Sequence, residues 1–190
     1  MKIAQWAFSV YIKGMSRLKP PKPVKLIMSI IFKEIDICER ALQELKVFGE
    51  MDFISEVLPF DFTDYYYKEM GSPLSRRFIS FIKLIPPDSL PEIKVKTNQI
   101  ELAYSKGNNR QVNIDPGYIS AERLVLATGK NYTHRIYLKD GVYADLTLIY
   151  QSGDFRPLPW SYPDYASPKI REMFRLIRKK YLSQLREGEK

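Results

Sequence analysis

The sequence predicts an α+β domain, in which a ferredoxin-like βαββαβ core is extended by a β-hairpin and a C-terminal amphipathic helix. Three observations predict it. Up to residue 115, apolar segments of strand and helix periodicity alternate in the order βαββαβ. Two further strand-like segments then flank Lys139-Asp140-Gly141. The last segment of the chain carries an apolar stripe of helical period.

The first half of the core follows directly from hydrophobic periodicity. Residues 24–32 are nearly all apolar, which predicts a buried strand. Residues 35–48 predict a helix, because apolar residues recur at helical spacing and Gly49 suits the helix end. Residues 54–62 predict the second strand, since most of their apolar residues fall on one side of it.

The second half of the core continues the alternation. Residues 77–85 predict the third strand. A helix that runs to about residue 104 follows, with Asp88 or Ser89 as its N-cap. Residues 110–115 alternate between polar and apolar side chains, which predicts the fourth strand.

Two proline-containing segments mark the ends of elements. Residues 113–117 read Asn-Ile-Asp-Pro-Gly and are expected to end the fourth strand in a turn. Pro116 presets its own φ there, and Gly117 supplies a positive φ. Ser167-Pro168 is expected to start the terminal helix, because proline is favoured in a first helical turn.

Two loops are possible for the hairpin around Lys139-Asp140-Gly141. If Asp140-Gly141 alone forms the loop, Ile136 shares a face with Asp145. If all three residues form it, Ile136 joins the other aliphatic residues on one face. A shift of one residue in register moves every side chain to the other face. We therefore predict the three-residue loop, which separates apolar from polar side chains more cleanly.

The predicted register has chemical consequences. It places Arg135 opposite Asp145 and Tyr137 opposite Tyr143, as cross-strand neighbours on one polar and aromatic face. His134, the one histidine of the sequence, then falls on the apolar side near the end of its strand.

The net charge of +8 is concentrated at the two ends of the chain. Residues 1–33 hold seven basic residues and no acidic one, and residues 169–190 hold eight against three. The intervening residues hold fifteen basic and nineteen acidic side chains. Basic ends suit contact with RNA or with an anionic membrane surface, and they also simply keep peripheral segments soluble.

Composition limits the class of protein. The lone Cys38 excludes an intramolecular disulfide and a Cys-rich zinc site, and it indicates a reducing cytoplasm. We expect this thiol to be a small buried hydrophobic group. No segment reaches the roughly 20 apolar residues of a membrane span. We predict one domain over residues 20–190, preceded by an N-terminal extension over residues 1–19.

Polar and aromatic residues cluster between residues 113 and 165, which predicts a binding cleft. The candidate ligand-binding residues are Asp64, Tyr65, Asn113, Arg135, Tyr137, Tyr143, Trp160, Tyr162 and Asp164. The candidate catalytic residues are His134, Asp115 and Asp145. Arg135 is expected to engage phosphate while Asp145 orients it, and Arg77 and Arg110 would add positive charge at the rim.

These residues allow three functional hypotheses. The leading one is a cytoplasmic binding protein for a phosphate-bearing ligand, either a nucleotide such as GTP or a piece of RNA. The second is a small hydrolase or transferase that uses His134 with Asp115 or Asp145, with Mg²⁺ as a possible cofactor. The third is an assembly factor whose aromatic segments bind a protein partner. An Arg135–Asp145 pair also fits a purely structural role in the sheet.

Five motifs give the chain a family resemblance. They are Thr63-Asp64-Tyr65-Tyr66, Glu69-Met70-Gly71, Asn113-Ile114-Asp115-Pro116-Gly117-Tyr118, His134-Arg135-Ile136-Tyr137 and Trp160-Ser161-Tyr162-Pro163-Asp164-Tyr165. Over residues 20–181 the chain resembles the uncharacterised prokaryotic family catalogued as domain of unknown function 4416.

The resemblance implies no established activity, although some family members carry a label of GTP-binding protein. A phosphate-binding loop of the Walker type needs a glycine, four residues, and then Gly-Lys-Ser or Gly-Lys-Thr. Here Asn131 follows Gly129-Lys130, and Leu124 occupies the position of the first glycine. The sequence therefore gives that label little support.

Overall fold

The structure is a computed structural model that describes residues 18–188. The predicted N-terminal extension therefore lies outside the described residues, apart from Leu18 and Lys19. The helices are α1 (Ile35–Leu45), α2 (Tyr67–Met70), α3 (Leu90–Ala103), α4 (Pro163–Ala166) and α5 (Pro168–Gly188). The strands are β1 (Val24–Phe32), β2 (Met51–Ile54), β3 (Leu58–Phe60), β4 (Leu74–Ile85), β5 (Val112–Ile119), β6 (Arg123–Thr128), β7 (Arg135–Lys139), β8 (Val142–Gln151) and β9 (Asp154–Pro157).

One antiparallel sheet contains all the strands of residues 18–188. Its order is β2-β4-β1-β5-β6-β8-β7, while β3 pairs with β4 and β9 pairs with β8. Helices and strands are both abundant, so the predicted mixed α and β class is confirmed. The predicted amphipathic C-terminal helix is confirmed as α5.

The central strand β1 is buried on both faces because helices cover each side of the sheet. Its even-numbered residues, such as Met28, pack with Leu42 of α1 and Ile93 of α3. Ile27 instead packs with Phe174 of α5. A strand buried on both sides reads as a continuous apolar segment, which is why residues 24–32 predicted it correctly.

The interior side of α1 contains Cys38, which is fully buried. Burial raises the pKa of its thiol to about 11. The thiol therefore stays protonated at neutral pH, as expected for a small buried hydrophobic residue.

A buried polar network fixes α5 to the sheet. Lys25 of β1 donates hydrogen bonds to Asp52 of β2 and to Gln184 of α5. Ser80 and Lys180 add further contacts to Asp52. None of the helices between residues 18 and 188 combines the length and the hydrophobicity that a membrane-spanning helix requires.

Several local features differ from the prediction. Residues 54–62 form parts of two short strands, β2 and β3, which pair with different parts of β4. No side chain caps α3, because the Ser89 hydroxyl donates to the carbonyl of Pro86 instead. The strands β6 and β9 were not predicted at all.

The hairpin has the predicted register but a different loop. Arg135 pairs with Asp145 and Tyr137 with Tyr143, as expected. The loop contains only Asp140-Gly141, and both residues have positive φ. A β-bulge between residues 137 and 139 restores the register that the three-residue loop was predicted to give.

The hairpin side chains are less segregated than predicted. Ile136 was expected to face the core but is 71% exposed, because β7 is the last strand on the main path of the sheet. On the other face Asp145 and Thr147 are buried.

Residues 113–117 continue β5 and do not form the predicted turn. The φ angle of Gly117 is not positive. A Cβ atom at this position would lie 2.5 Å from the carbonyl oxygen of Val125 and 2.7 Å from the Cδ2 atom of Leu126. Glycine is needed here because β6 approaches closely, and the φ of the residue is not the reason.

We predict that Gly117→Ala lowers the free energy of unfolding by about 1–3 kcal/mol, because β6 must move to make room for the methyl group. Urea denaturation followed by circular dichroism measures the change. The matched control is Gly129→Ala, where a Cβ meets nothing within 4 Å; its effect should stay within about 0.5 kcal/mol. Equal urea midpoints for the two variants would contradict the close approach.

Candidate functional site

A cavity of about 340 Å³ opens where β5 and β6 diverge. The two strands pair only from Gly117 and Leu126 to Ile119 and Leu124. Before Gly117, β5 keeps its pairing with β1, whereas β6 beyond Leu126 stays with β8. The residues that line the cavity are Phe60, Thr63, Tyr65, Tyr66, Arg76, Lys94, Asn98, Arg110, Asn113, Asp115, Leu126, Ala127, Thr128, Gly129, Lys130, Arg135, Asp145, Tyr162, Asp164 and Tyr165.

Side chains of α3 supply the hydrogen bonds that β6 does not give to β5. The amide of Ile114 donates to the Glu101 carboxylate at 2.8 Å. The carbonyl of Ile114 accepts from Nζ of Lys94 at 2.9 Å. Buried backbone groups need such partners. The strands can therefore separate without leaving this residue of β5 unsatisfied.

These α3 side chains belong to a closed ring of polar contacts. Arg110 donates to Glu101 at 2.9 Å and to Asn113 at 2.8 Å. Asn113 donates to Asp115 at 2.7 Å, and Nζ of Lys94 lies 3.3 Å from the same carboxylate. Lys94 and Glu101 close the ring at 3.7 Å. The ring holds the Asp115 carboxylate at the β5 side of the cavity.

Arg110 is also fixed from outside the ring. Its guanidinium donates to both carboxylate oxygens of Glu69, at 2.6 and 2.8 Å. This hydrogen bonding holds the pKa of Glu69 below its ordinary value, although partial burial opposes the shift. Glu69 belongs to α2, so the pair joins the Glu69-Met70-Gly71 motif to the start of β5.

The opposite side of the opening carries Arg135 at the start of β7. Its Nε atom donates to Asp145 at 2.9 Å. Its terminal nitrogens donate to the carbonyl of Lys130 at 3.0 Å and to the hydroxyl of Tyr162 at 3.1 Å. The side chain of Asp145 is only 3% exposed, so Arg135 is held from a buried anchor.

Lys130 lies beside Arg135, in the loop that follows β6. Its Nζ atom contacts the hydroxyl of Tyr65 and lies 3.9 Å from the centre of that ring. Among residues 18–188 it has no carboxylate within salt-bridge distance. Lys130, Arg135, Tyr65 and Tyr162 together are called the anion corner below.

Two phenols of the cavity, Tyr66 and Tyr162, are hydrogen-bond donors at neutral pH. Burial raises the pKa of Tyr66 and of Tyr162 above the ordinary value of tyrosine. Each phenol therefore stays protonated, and its O–H group can donate a hydrogen bond to an anionic ligand.

The Trp160-Ser161-Tyr162-Pro163-Asp164-Tyr165 motif is attached to a gap at the edge of β8. The strands β7 and β9 pair with β8 on either side of residues 146 and 147. Trp160 donates from Nε1 to the carbonyl of residue 146 at 2.8 Å, and the Ser161 hydroxyl donates to the carbonyl of residue 147. The attachment brings Tyr162 and Asp164 to the cavity, where Asp164 forms a buried ion pair with Arg76.

His134 was predicted to lie on the apolar side of the hairpin, and this prediction was wrong. The strand β7 starts at Arg135, so the alternation of a strand does not extend back to His134, which belongs to a turn. Its Nε2 atom lies 3.2 Å from Asp145, and its ring stacks on Trp160 with 4.8 Å between centroids. His134 therefore contacts Asp145, the carboxylate that also holds Arg135, and it does not line the cavity.

The structure brings together seven of the twelve predicted site residues around one cavity. They are Tyr65, Asn113, Asp115, Arg135, Asp145, Tyr162 and Asp164. Those that do not line the cavity are Asp64, His134, Tyr137, Tyr143 and Trp160. Arg110 lines it, whereas Arg77 instead forms an ion pair with Glu39 of α1.

Several cavity residues were missed. Arg76, Lys94, Lys130 and Tyr66 line the wall but were not predicted as site residues. A signal existed for α3, because Lys94 and Glu101 lie seven residues apart and therefore share one face of a helix. That face is buried, which is unusual for unpaired charges and typical of a polar network.

The geometry of residues 18–188 gives the magnesium hypothesis no support. Between residues 18 and 188, no group of three or more His, Cys, Asp or Glu side chains converges in a way that could hold a metal ion. Asp115 and Asp145 are instead paired with Lys94 and Arg135.

A family model described as a domain of unknown function, DUF4416, matches residues 22–181. The chain belongs to this family, which confirms the resemblance drawn from its motifs. No curated protein and no solved structure matches the chain.

We predict that Glu69→Gln lowers stability by about 1–3 kcal/mol at pH 7, because one half of a charged hydrogen-bonded pair is lost. The folded pKa of Glu69 is depressed, so its contribution is present above the ordinary glutamate pKa of about 4.3 and is lost as pH falls through the lower folded value.

Urea titrations of both proteins across this acid range test the sign. The difference between wild type and variant should be largest near neutrality and should shrink in acid. The control Glu56→Gln removes a carboxylate whose partner Lys169 is 69% exposed, and it should change stability by well under 1 kcal/mol. A difference for Glu69→Gln that grows on acidification would contradict the assigned pairing.

Proposed function

We propose that this protein binds a small molecule that carries a phosphate group, in the cavity between β5 and β6. The observation that carries the proposal is the anion corner, where Arg135 and Lys130 lie together at the cavity wall beside the hydroxyls of Tyr65 and Tyr162. Guanidinium, ammonium and phenol groups are the donors with which proteins bind phosphate.

Arg135 supports the proposal through the donors that it keeps. A guanidinium has five N–H groups. Within residues 18–188, Asp145, the carbonyl of Lys130 and Tyr162 accept three of them. Two N–H groups therefore lack an acceptor in the described part of the chain. The same three contacts hold the guanidinium in place before a ligand binds, which reduces the entropy that binding costs.

The basic side chains that line the cavity outnumber the acidic ones that line it. Five basic residues line the cavity, namely Arg76, Lys94, Arg110, Lys130 and Arg135, against the acidic residues Asp115, Asp145 and Asp164. Glu69 and Glu101 do not line the cavity, but they form ion pairs with Arg110 and offset its charge. With these two the acidic residues equal the basic ones in number, so the position of the charges decides where an anion is favoured. Lys130 has no carboxylate within salt-bridge distance among residues 18–188, although Glu69 acts on it at longer range, and it lies beside Arg135 at the anion corner.

A small ligand fits better than RNA. The cavity volume of about 340 Å³ falls within the range of roughly 300–1,000 Å³ of small-molecule sites. The basic residues of α5 are largely engaged, since Arg171 pairs with Asp154 and Lys180 with Asp52. They therefore offer few uncommitted charges to a polyanion.

The other hypotheses stay predictions with weaker support. A hydrolase that uses His134 is less favoured, because His134 contacts Asp145 but does not line the cavity. An assembly factor is compatible with the exposed Ile136 and Tyr137 of β7. The cytoplasmic location rests on the single reduced cysteine, Cys38.

We also infer that the first part of the sheet is a ferredoxin-like core. The four strands β1, β2, β4 and β5 run antiparallel in the order β2-β4-β1-β5, with α1 after β1 and α3 after β4. This arrangement supports the βαββαβ connectivity that the sequence predicted.

The direct test is calorimetric titration with adenosine and guanosine 5′-monophosphate and with a short single-stranded RNA, at low and at physiological ionic strength. The proposal expects nucleotide binding with a weak dependence on salt. No binding of any nucleotide at low salt rejects it. Binding of RNA alone, with a steep loss of affinity in salt, would place recognition on a basic surface and not in the cavity.

We predict that Lys130→Gln weakens nucleotide binding about tenfold, because one charged hydrogen bond to phosphate is lost. The melting temperature should not change, since Lys130 is exposed. Lys139→Gln is the matched control, because it removes a basic residue that is 60% exposed and does not line the cavity. Equal affinities for the two variants would contradict the assignment of the anion corner.

A further inference from the structure

Two sides of the cavity differ in chemistry. The anion corner belongs to the loop after β6, to β7 and to the two motif tyrosines. The side formed by β5 and α3 instead presents the carboxylate of Asp115 and the side-chain amide of Asn98. We call Asp115 and Asn98 the acceptor side. A single functional group cannot satisfy both sides.

The carboxylate of Asp115 is a fixed hydrogen-bond acceptor. Asn113 and Lys94 each donate to a different one of its oxygens. An ionised carboxylate offers about four acceptor positions, so about two remain for a ligand. Its side chain is 29% exposed, which leaves it accessible from the cavity. Asp115 repels a phosphate group, and it attracts a group that has an O–H or N–H to donate.

The surroundings of Asp115 favour a neutral donor over a cationic one. Lys94 lies 3.3 Å from the carboxylate, and Arg110 is held by Asn113 beside it. Because the carboxylate already pairs with the Lys94 ammonium, an ammonium group of the ligand bound to the same carboxylate would lie close to a like charge. A hydroxyl carries no charge, and Asn98 can both donate to a hydroxyl and accept from it.

We propose that the ligand is a phosphorylated sugar, either free or as the ribose phosphate of a nucleotide. Its phosphate binds at the anion corner, and its hydroxyls donate to Asp115 and Asn98. This inference rests on the proposed function and narrows it, because the acceptor side selects what the phosphate is attached to. A cavity of about 340 Å³ also has room for much more than a phosphate ion.

The test compares four probes by calorimetry: inorganic phosphate, ribose, ribose 5-phosphate and adenosine 5′-monophosphate. We expect ribose 5-phosphate to bind at least about tenfold more tightly than inorganic phosphate, which corresponds to one or two hydrogen bonds from hydroxyls to a charged acceptor. If adenosine 5′-monophosphate binds still more tightly, the nucleotide is the source of the sugar phosphate; equal or weaker binding assigns the free sugar phosphate.

Two variants assign the effect to the acceptor side. Asp115→Asn should reduce the advantage of ribose 5-phosphate over inorganic phosphate to about twofold or less, without weakening inorganic phosphate. Asn98→Ala changes an exposed residue of α3 and should act in the same direction, so the test does not depend on the folding of the Asp115 variant. Lys130→Gln should weaken both phosphate ligands together.

The outcomes separate this inference from the proposed function. Equal affinities for inorganic phosphate and ribose 5-phosphate in the wild-type protein overturn the sugar assignment but leave a phosphate site. An advantage that survives both acceptor-side variants overturns the roles of Asp115 and Asn98. Absence of binding by every phosphate probe overturns the proposed function, and the present inference falls with it.

Discussion

The interaction on which the rest of the structure depends is the replacement of a neighbouring strand by two side chains of a helix. Where β6 leaves β5, Glu101 and Lys94 bond to the amide and the carbonyl of Ile114. A sheet that splits in its interior would otherwise bury unsatisfied backbone groups. Because these partners are charged, they also recruit Arg110 and Asp115, and the opening acquires a polar wall.

The two sides of the opening are then built by different parts of the chain. On the β5 side, the ring of polar contacts holds the carboxylate of Asp115 at the cavity. On the other side, Asp145 of β8 anchors Arg135, and the segment around Trp160 fills a gap in the edge of β8. Burial of an ion such as Asp145 is costly unless it is paired. Arg135 and His134 both contact its carboxylate.

The hydrophobic pattern predicted the mixed α and β class, because β1 is apolar throughout and the helices α1 and α5 have apolar residues at helical spacing. It predicted the Arg135–Asp145 register correctly, although the loop has two residues and not three, a bulge produces the register, and Ile136 is exposed. It failed at Gly117, since a glycine that permits close approach looks the same in sequence as one that permits a turn. Only part of the site was predicted. Its motifs are visible in the sequence and the spacing of Lys94 and Glu101 was a usable signal, but nothing in the sequence distinguishes Arg76 from an exposed charged residue, and only the fold shows that it is buried.

Amide hydrogen exchange at Ile114 tests the central interaction most directly. In the wild-type protein this amide should exchange as slowly as the amides of the sheet ladder, since Glu101 accepts its hydrogen bond. In Glu101→Ala its exchange should accelerate strongly relative to the amide of Asn113, which the alternation of β5 directs towards β1. Fast exchange of Ile114 in the wild type, or equal acceleration of both amides in the variant, would contradict the account.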